Sequence, residues 1–196
     1  MTSIDEILRD SIVDSIQLKQ KVLATLGPQI RAAGELLAEA YANGNQAIFF
    51  GNGGSAADAQ HMAAEMESRF AFDRAPLPAL ALHANTSTLT AVANDYQYEQ
   101  VFARLLAAHA RPGDVAVAIS TSGTSKNVVA AARLKHQLKL KLIALTGEQG
   151  GSLAPFADVL IAVPSRDTPR IQEAHITIGH VLCEWVEQRM FKGSGG

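Results

Sequence analysis

A short apolar run, Gln46-Ala47-Ile48-Phe49-Phe50, breaks into Gly51-Asn52-Gly53-Gly54-Ser55 and then into an Ala-rich stretch ending at Glu65. No other stretch of the chain limits its fold as much. The run reads as a buried strand, the glycines as a tight turn and the alanines as a helix. Strand, glycine turn and helix is how α/β proteins build anion sites. Glycine lets the backbone approach a ligand, and a helix start offers unpaired N–H groups. His61 and Glu65 stand one turn apart on the new helix, where positions i and i+4 share a face. On spacing alone such a pair is usually a surface contact. Placed behind an anion cradle, it points to a phosphorylated substrate and to proton or metal chemistry.

The rest of the chain repeats the alternation. Ser3 and Glu6 have the spacing of a capping box, and Ile4, Ile7, Leu8, Ile12 and Ile16 recur at helical spacing, predicting a first helix to about Leu26. Gly27-Pro28 ends it and starts a second helix that runs to Asn43-Gly44. Two helices before the first strand exceed what a sheet needs, so they cover an edge or meet other subunits. Short strands are predicted at Ala79 to Leu82, Val115 to Ile119, Leu140 to Leu145 and Val159 to Val163. Helices are predicted at Thr86 to Ala93, around Tyr98 to Leu106, from Lys126 to about Gln137 and from about Thr168 to Phe191. Five strands alternating with helices predict an α/β fold with a parallel sheet covered on both faces. Residues 1–192 read as a single domain, and Gly193-Ser194-Gly195-Gly196 as a flexible tail.

Ser120-Thr121-Ser122-Gly123-Thr124-Ser125 places five hydroxyls and a glycine in six residues, again between a strand and a helix. Hydroxyls and backbone N–H groups there can hold a phosphate dianion without a lysine. Ser125 alone would be an ordinary N-cap. The loop lacks the Gly-Lys-Ser/Thr ending of a P-loop, and the first glycine turn lacks the third glycine of the dinucleotide fingerprint. Both loops fall at C-terminal strand ends, where ligands bind in such sheets.

Charge and cysteine content remove other classes. A net charge of −2 argues against a broadly basic nucleic-acid surface. The single cysteine, Cys183, excludes a disulfide framework within the chain. No apolar run reaches about 18 residues and no signal-peptide pattern is seen, so no membrane partner and a cytoplasmic location are expected.

The late helix supplies Gln172, Glu173, His175 and His180. Gln172 and His180 lie about 80° apart around it. His175 reads as a packing or supporting residue, and His83, His109 and His136 as surface or strand-end residues. A Glu and a His suit aldose–ketose isomerisation, which needs a base beside the carbonyl and an acid for the oxygens. Two His, a Glu and a Gln could instead ligate a metal that polarises the carbonyl. The two roles compete for Glu65, because metal binding lowers its basicity.

Taken together, Gly51-Asn52-Gly53-Gly54-Ser55, Gln60-His61, Glu65, Ala93-Asn94-Asp95, Ile119 to Gly123, Leu145-Thr146-Gly147 and Arg170-Ile171-Gln172-Glu173 with His175 and His180 form a pattern. It resembles the bacterial phosphoheptose isomerases, enzymes of the sugar isomerase (SIS) domain family, over essentially the whole chain. The resemblance implies conversion of sedoheptulose 7-phosphate to D-glycero-D-manno-heptose 7-phosphate, an early step towards the heptose of lipopolysaccharide or other surface glycans. It implies a flavodoxin-like five-stranded sheet and a homotetramer with sites at subunit interfaces. By matching positions, Glu65 is the general base and His180 the general acid. Ser120, Thr121, Ser122 and Ser125 hold the phosphate, while Asn52, Gly53, Gly54, Ser55, Asn94, Asp95 and Gln172 line the sugar. In zinc-containing members the ligands match His61, Glu65, Gln172 and His180, so one Zn2+ per subunit is expected. Departures from the pattern are mild: Ala56-Ala57 after the glycine turn, and Thr124 where some members have Asn.

Another SIS relative is a non-catalytic tetramer that binds the bacterial replication initiator. Its pattern lacks Glu and His at the positions of Glu65 and His180, which favours the enzyme here. A sugar-phosphate-sensing module of a regulator would need a DNA-binding domain, for which 196 residues leave no room. An isomerase for another ketose phosphate would keep the chemistry and change the pocket.

Overall fold

The computed structural model describes residues 2–192, so the expected tail at 193–196 lies outside the described residues. Helix α1 spans Ile4–Thr25 and opens on the expected capping box. The Glu6 N–H donates to Ser3 Oγ at 3.2 Å, and the Ser3 N–H donates to Glu6 Oε2 at 2.7 Å. Helix α2, Gly27–Ala42, starts on Pro28, whose missing N–H costs nothing in a first turn. Then follow β1 (Ala47–Gly51), α3 (Gly54–Glu67), β2 (Ala79–Ala81) and α4 (Thr86–Asp95). A 3-10 turn, Tyr98–Gln100, runs into α5 (Val101–His109). The second half holds β3 (Val115–Ser120), α6 (Lys126–Ala132), α7 (Lys135–Leu138), β4 (Lys141–Thr146), a 3-10 turn (Gly151–Phe156), β5 (Val159–Ala162) and α8 (Thr168–Phe191).

The five strands form one parallel sheet in the order β2-β1-β3-β4-β5. Alternation along each strand sends side chains to two cores. Phe49, Val115, Val117, Ile119, Ile143 and Leu145 pack against α2, α3 and α8. Ile48, Phe50, Ala116, Ala118, Leu142 and Ala144 pack against α5 and α6. Burial on both faces is why the central strands read as unbroken apolar runs.

The segment from Lys126 to Gln137 is two helices rather than the one expected. The chain turns at Arg133 and Leu134, which lets Lys135 be buried against Asp158, with Lys135 Nζ 2.9 Å from Asp158 Oδ2. A long-range ion pair overrides local propensity there.

The strand order reverses direction between β1 and β3, so their following connections leave on opposite sides and open a crevice at the C-terminal ends. Gly51 pairs with Ile119 and Ser120 with Thr146 at that edge. Both loops singled out in the sequence start there.

Candidate active site

The glycine turn is shaped by close approach. A Cβ on Gly51 would lie 2.8 Å from the Ile119 carbonyl oxygen and 2.8 Å from Ser55 Cβ. Gly53 has φ +56°, a conformation costly for other residues. The Asn52 and Gly53 carbonyls accept the Ser55 and Ala56 N–H groups at 3.0 Å each, closing the first turn of α3. A Cβ on Gly54 would run into the Gln172 amide, so the bare glycine leaves room for that side chain beside the turn.

Helix α3 then presents His61 and Glu65 on one face, with Glu65 Oε1 3.2 Å from His61 Nε2. His180 comes from α8 and brings its Nε2 to 3.0 Å from His61 Nε2. Small packing residues make this meeting possible: a Cβ on Gly179 would stand 2.9 Å from Met62 Sδ, between α3 and α8. Phe70 backs the His180 ring at 5.6 Å between centroids. Three of the four expected metal-ligand side chains thus converge. The fourth, Gln172, packs on Gly54 two turns earlier on α8. The donor set suits zinc in kind. Neighbouring ligands of a tetrahedral Zn2+ stand about 3.3 Å apart, close to the 3.2 and 3.0 Å observed here. Among the described residues, no three or more His, Cys, Asp or Glu side chains form a ready-made metal cluster.

The serine loop is a knot of hydroxyls. Ser120 Oγ lies 2.9 Å from Ser125 Oγ and 3.5 Å from Ser122 Oγ, and the Thr124 N–H donates to Ser122 Oγ at 3.1 Å. Gly123, at φ +65°, reverses the chain, with its N–H donating to the Ser120 carbonyl. The Thr121 carbonyl accepts the Gly147 N–H at 2.9 Å, anchoring the loop on the end of β4. Ser120 and Ser55 are buried, while Ser122 is exposed.

Asn94 and Asp95 close α4, exposed and paired with each other: Asn94 Nδ2 donates to Asp95 Oδ1 at 2.9 Å. No hydrogen bond brings either to His61 or Glu65. Their segment is tied to the site by Tyr98, whose hydroxyl reaches Asn52 Oδ1 at 2.8 Å.

Groups that the sequence reading passed over surround this constellation. Glu187 of α8, fully buried, accepts the Phe70 and Ala71 N–H groups at 2.8 Å each and Arg74 Nε at 3.1 Å. Arg74 in turn donates to the carbonyls of Glu65 at 2.8 Å and Met66 at 2.7 Å. This clamp ties the C-terminal end of α3 to α8. Burial pushes the Asp58 carboxyl up to about 6, against the pull of His61 one turn away, and its Oδ2 has no partner. Nothing in the sequence marks Asp58 beyond its place three residues before His61.

His175 is buried and pushed down to about 4 by that burial, so it is a neutral ring whose Nε2–H donates to the Thr146 carbonyl at 3.1 Å. It packs α8 on β4, in line with the supporting role read for it. His83 falls under the strand-end half of its reading, not the surface half. It lies just past β2 but is buried, with Nε2 2.9 Å from the Ala56 carbonyl and burial lowering its pKa. Cys183 is buried and its thiol pushed up to about 12 by burial, so it is not a nucleophile at neutral pH.

Comparison with known proteins places the whole chain in one family. Residues 12–147 match the SIS domain family model. The phosphoheptose isomerase of Geotalea daltonii is 51% identical over 186 residues, 93% of this chain and 97% of the relative. That of Mycobacterium tuberculosis is 54% identical over 181 residues, 91% and 92% of the two chains. The solved structure of a phosphoheptose isomerase from Francisella tularensis superposes with a TM-score of 0.91 at 38% identity, covering 96% of this chain and all of that one. With the glycine turn, the serine loop and the His61–Glu65–His180 meeting in one SIS fold, the chain belongs to the phosphoheptose isomerase family.

Proposed function

We infer that the chain is an aldose–ketose isomerase that converts sedoheptulose 7-phosphate to D-glycero-D-manno-heptose 7-phosphate. The observation that carries the mechanism is the approach of His61 and Glu65 on α3 to His180 on α8, beside the hydroxyl knot. The serine loop holds the phosphate through Ser120, Thr121, Ser122 and Ser125. Asn52, Gly53, Gly54, Ser55, Gln172, Asn94 and Asp95 line the sugar.

Glu65 removes a proton from C1 of the ketose. The C1–H electron pair becomes the C1=C2 bond, and the former C2 carbonyl oxygen takes a proton from His180. The resulting enediol collapses when the C1 hydroxyl returns its proton to His180 and Glu65 delivers its proton to C2. Atoms and charge balance, as isomerisation requires. His61, Glu65, Gln172 and His180 would hold a Zn2+ ion, which would supply polarisation of the carbonyl oxygen. A Glu65 bound to metal would be a weaker base, so the ion and the proton compete for the same carboxylate.

A homotetramer with sites at subunit interfaces is also proposed. Helix α1 exposes Ile4, Leu8, Ile12 and Leu23 at 54–83%. Across an apolar cleft between α2 and α8, Val181 and Trp185 are also exposed. Large apolar side chains left exposed in this number call for a covering partner. Among the described residues no helix is long and apolar enough to cross a membrane.

The test is turnover of sedoheptulose 7-phosphate by the wild-type protein with Glu65→Gln and His180→Gln beside it. Loss by orders of magnitude in both variants, with the fold retained, is expected. Turnover within a few-fold of wild type would remove the assignment. Metal analysis after chelator-free purification tests the zinc, and light scattering the tetramer.

A further inference from the structure

Two side chains outside the proposed set, Asn127 and Tyr98, meet Asn52 of the glycine turn. Asn127 is 3% exposed and is the second residue of α6, just past the serine loop. Its amide faces that of Asn52 head to head. Asn52 Nδ2 donates to Asn127 Oδ1 at 2.8 Å, and Asn127 Nδ2 donates to Asn52 Oδ1 at 2.9 Å. The Val128 N–H also donates to Asn127 Oδ1, at 3.0 Å. That backbone donor sets which end of the Asn127 amide is oxygen, and the reciprocal pairing then sets Asn52. Asn52 Oδ1 is therefore an acceptor, and the Tyr98 hydroxyl must be the donor to it. Both lone pairs of Asn52 Oδ1 are used. One N–H of its amide remains for a ligand.

The three residues come from three segments. Asn52 belongs to the glycine turn, Asn127 to the helix behind the serine loop, and Tyr98 to the 3-10 turn that follows Asn94 and Asp95. We propose that Asn127 and Tyr98 are positioning residues, a latch that holds the glycine turn at a set distance from the serine loop and tethers the Asn94–Asp95 segment to both. The proposal rests on the isomerase reading and deepens it. A seven-carbon sugar phosphate gripped by the serine loop at one end and worked on beside the glycine turn at the other depends on that spacing. A displacement of about 1 Å at a reacting centre can cost about 100-fold in rate. An amide pair that served stability alone would change the melting temperature and leave substrate use untouched.

Tyr98→Phe spares the fold, while Asn127→Asp places a carboxylate at a buried site and is read beside its melting temperature. Tyr98 is 53% exposed, so Tyr98→Phe removes one hydroxyl and leaves no cavity. Asn127→Asp keeps the acceptor for Asn52 Nδ2 and Val128 N–H but turns the donor facing Asn52 Oδ1 into a second acceptor. Steady-state kinetics on sedoheptulose 7-phosphate are measured together with the inhibition constant of inorganic phosphate. Tyr98→Phe is expected to lower kcat/KM roughly three- to tenfold, the worth of one hydrogen bond, and Asn127→Asp more. The phosphate constant stays within twofold in Tyr98→Phe, because the serine loop keeps its hydroxyls and gains no charge. A fall under threefold in both variants, or a phosphate constant that weakens in step with kcat/KM in Tyr98→Phe, overturns the latch.

Amide hydrogen exchange gives a readout without substrate. Faster exchange at residues 52–57 in Tyr98→Phe supports the latch, and exchange equal to wild type overturns it. If the wild-type protein fails to turn over sedoheptulose 7-phosphate, the exchange result still decides the latch, and the failure falls on the substrate reading alone.

Discussion

Replacing Glu187 by Gln removes a charge from one of the most enclosed points of the molecule. The carboxylate is fully buried and its partner Arg74 is 2% exposed along its side chain. Three donors converge on its two oxygens: the Phe70 and Ala71 N–H groups and Arg74 Nε. Gln keeps one oxygen and turns an NH2 group towards a donor, so one N–H loses its acceptor and Arg74 loses its counter-charge. Breaking a buried pair from one side costs about 3–5 kcal/mol. For a chain of this size each kcal/mol moves Tm by about 2–4 °C, so the loss is about 6–20 °C.

The pH dependence gives a second check. Burial alone would raise the Glu187 carboxyl, but the two amides and Arg74 outweigh it and hold it below the usual carboxylate value. A group with a depressed folded pKa contributes its stability above the unfolded value and loses it as pH falls through the folded one. The gap between wild type and variant should therefore be constant near neutrality and narrow below about pH 4.5. Thermal melts from pH 8 to pH 3.5 measure both effects. A variant melting within 2 °C of wild type at pH 7, or a gap that widens in acid, would refute the clamp. Both assume the same oligomeric state, which light scattering of each sample controls.

Three other perturbations probe separate parts of the site. Gly54→Ala puts a methyl into the Gln172 amide and should lower kcat/KM at least tenfold with Tm nearly unchanged; activity within twofold of wild type would show that Gln172 simply moves aside. Ser120→Ala removes the hydroxyl shared by Ser122 and Ser125, and KM for the sugar phosphate should rise about 10- to 100-fold, the worth of a hydrogen bond to a charged group. His175, ordinarily near 6.5 when unfolded and held near 4 by burial when folded, should make stability fall as pH drops between those values. Urea unfolding of His175→Asn across that range should show a shallower slope, and an equal slope would exclude His175 as its source.

Much of this site is written in short-range pattern. The Gly51–Ser55 turn, the hydroxyls of residues 120–125 and the i,i+4 spacing of His61 and Glu65 are all local, and each lies where the alternation of strands and helices places it. The three central strands, β1, β3 and β4, were readable because central parallel strands bury both faces and so carry unbroken apolar runs. What escaped the reading depends on distant partners. Arg74 and Glu187 are 113 residues apart, and neither position differs in type from an ordinary surface charge. Asn127 resembles a simple helix-start residue until Asn52, 75 residues earlier, is brought against it. The break between α6 and α7 follows from burying Lys135 on Asp158, and the burial of His83 follows from its reach to the Ala56 carbonyl. Neither has a signature within its own segment.

The His61–His180 meeting also orders events during synthesis. All five strands, both binding loops and α3 precede α8 in the chain, and His180 arrives only with that late helix. The serine loop and the His61–Glu65 pair are therefore complete in the chain well before His180 is made. Until α8 docks, Met62 of α3 lacks the Gly179 backbone that it packs against in the finished fold. The docking of α8 that covers Met62 with Gly179 is also what brings His180 to His61.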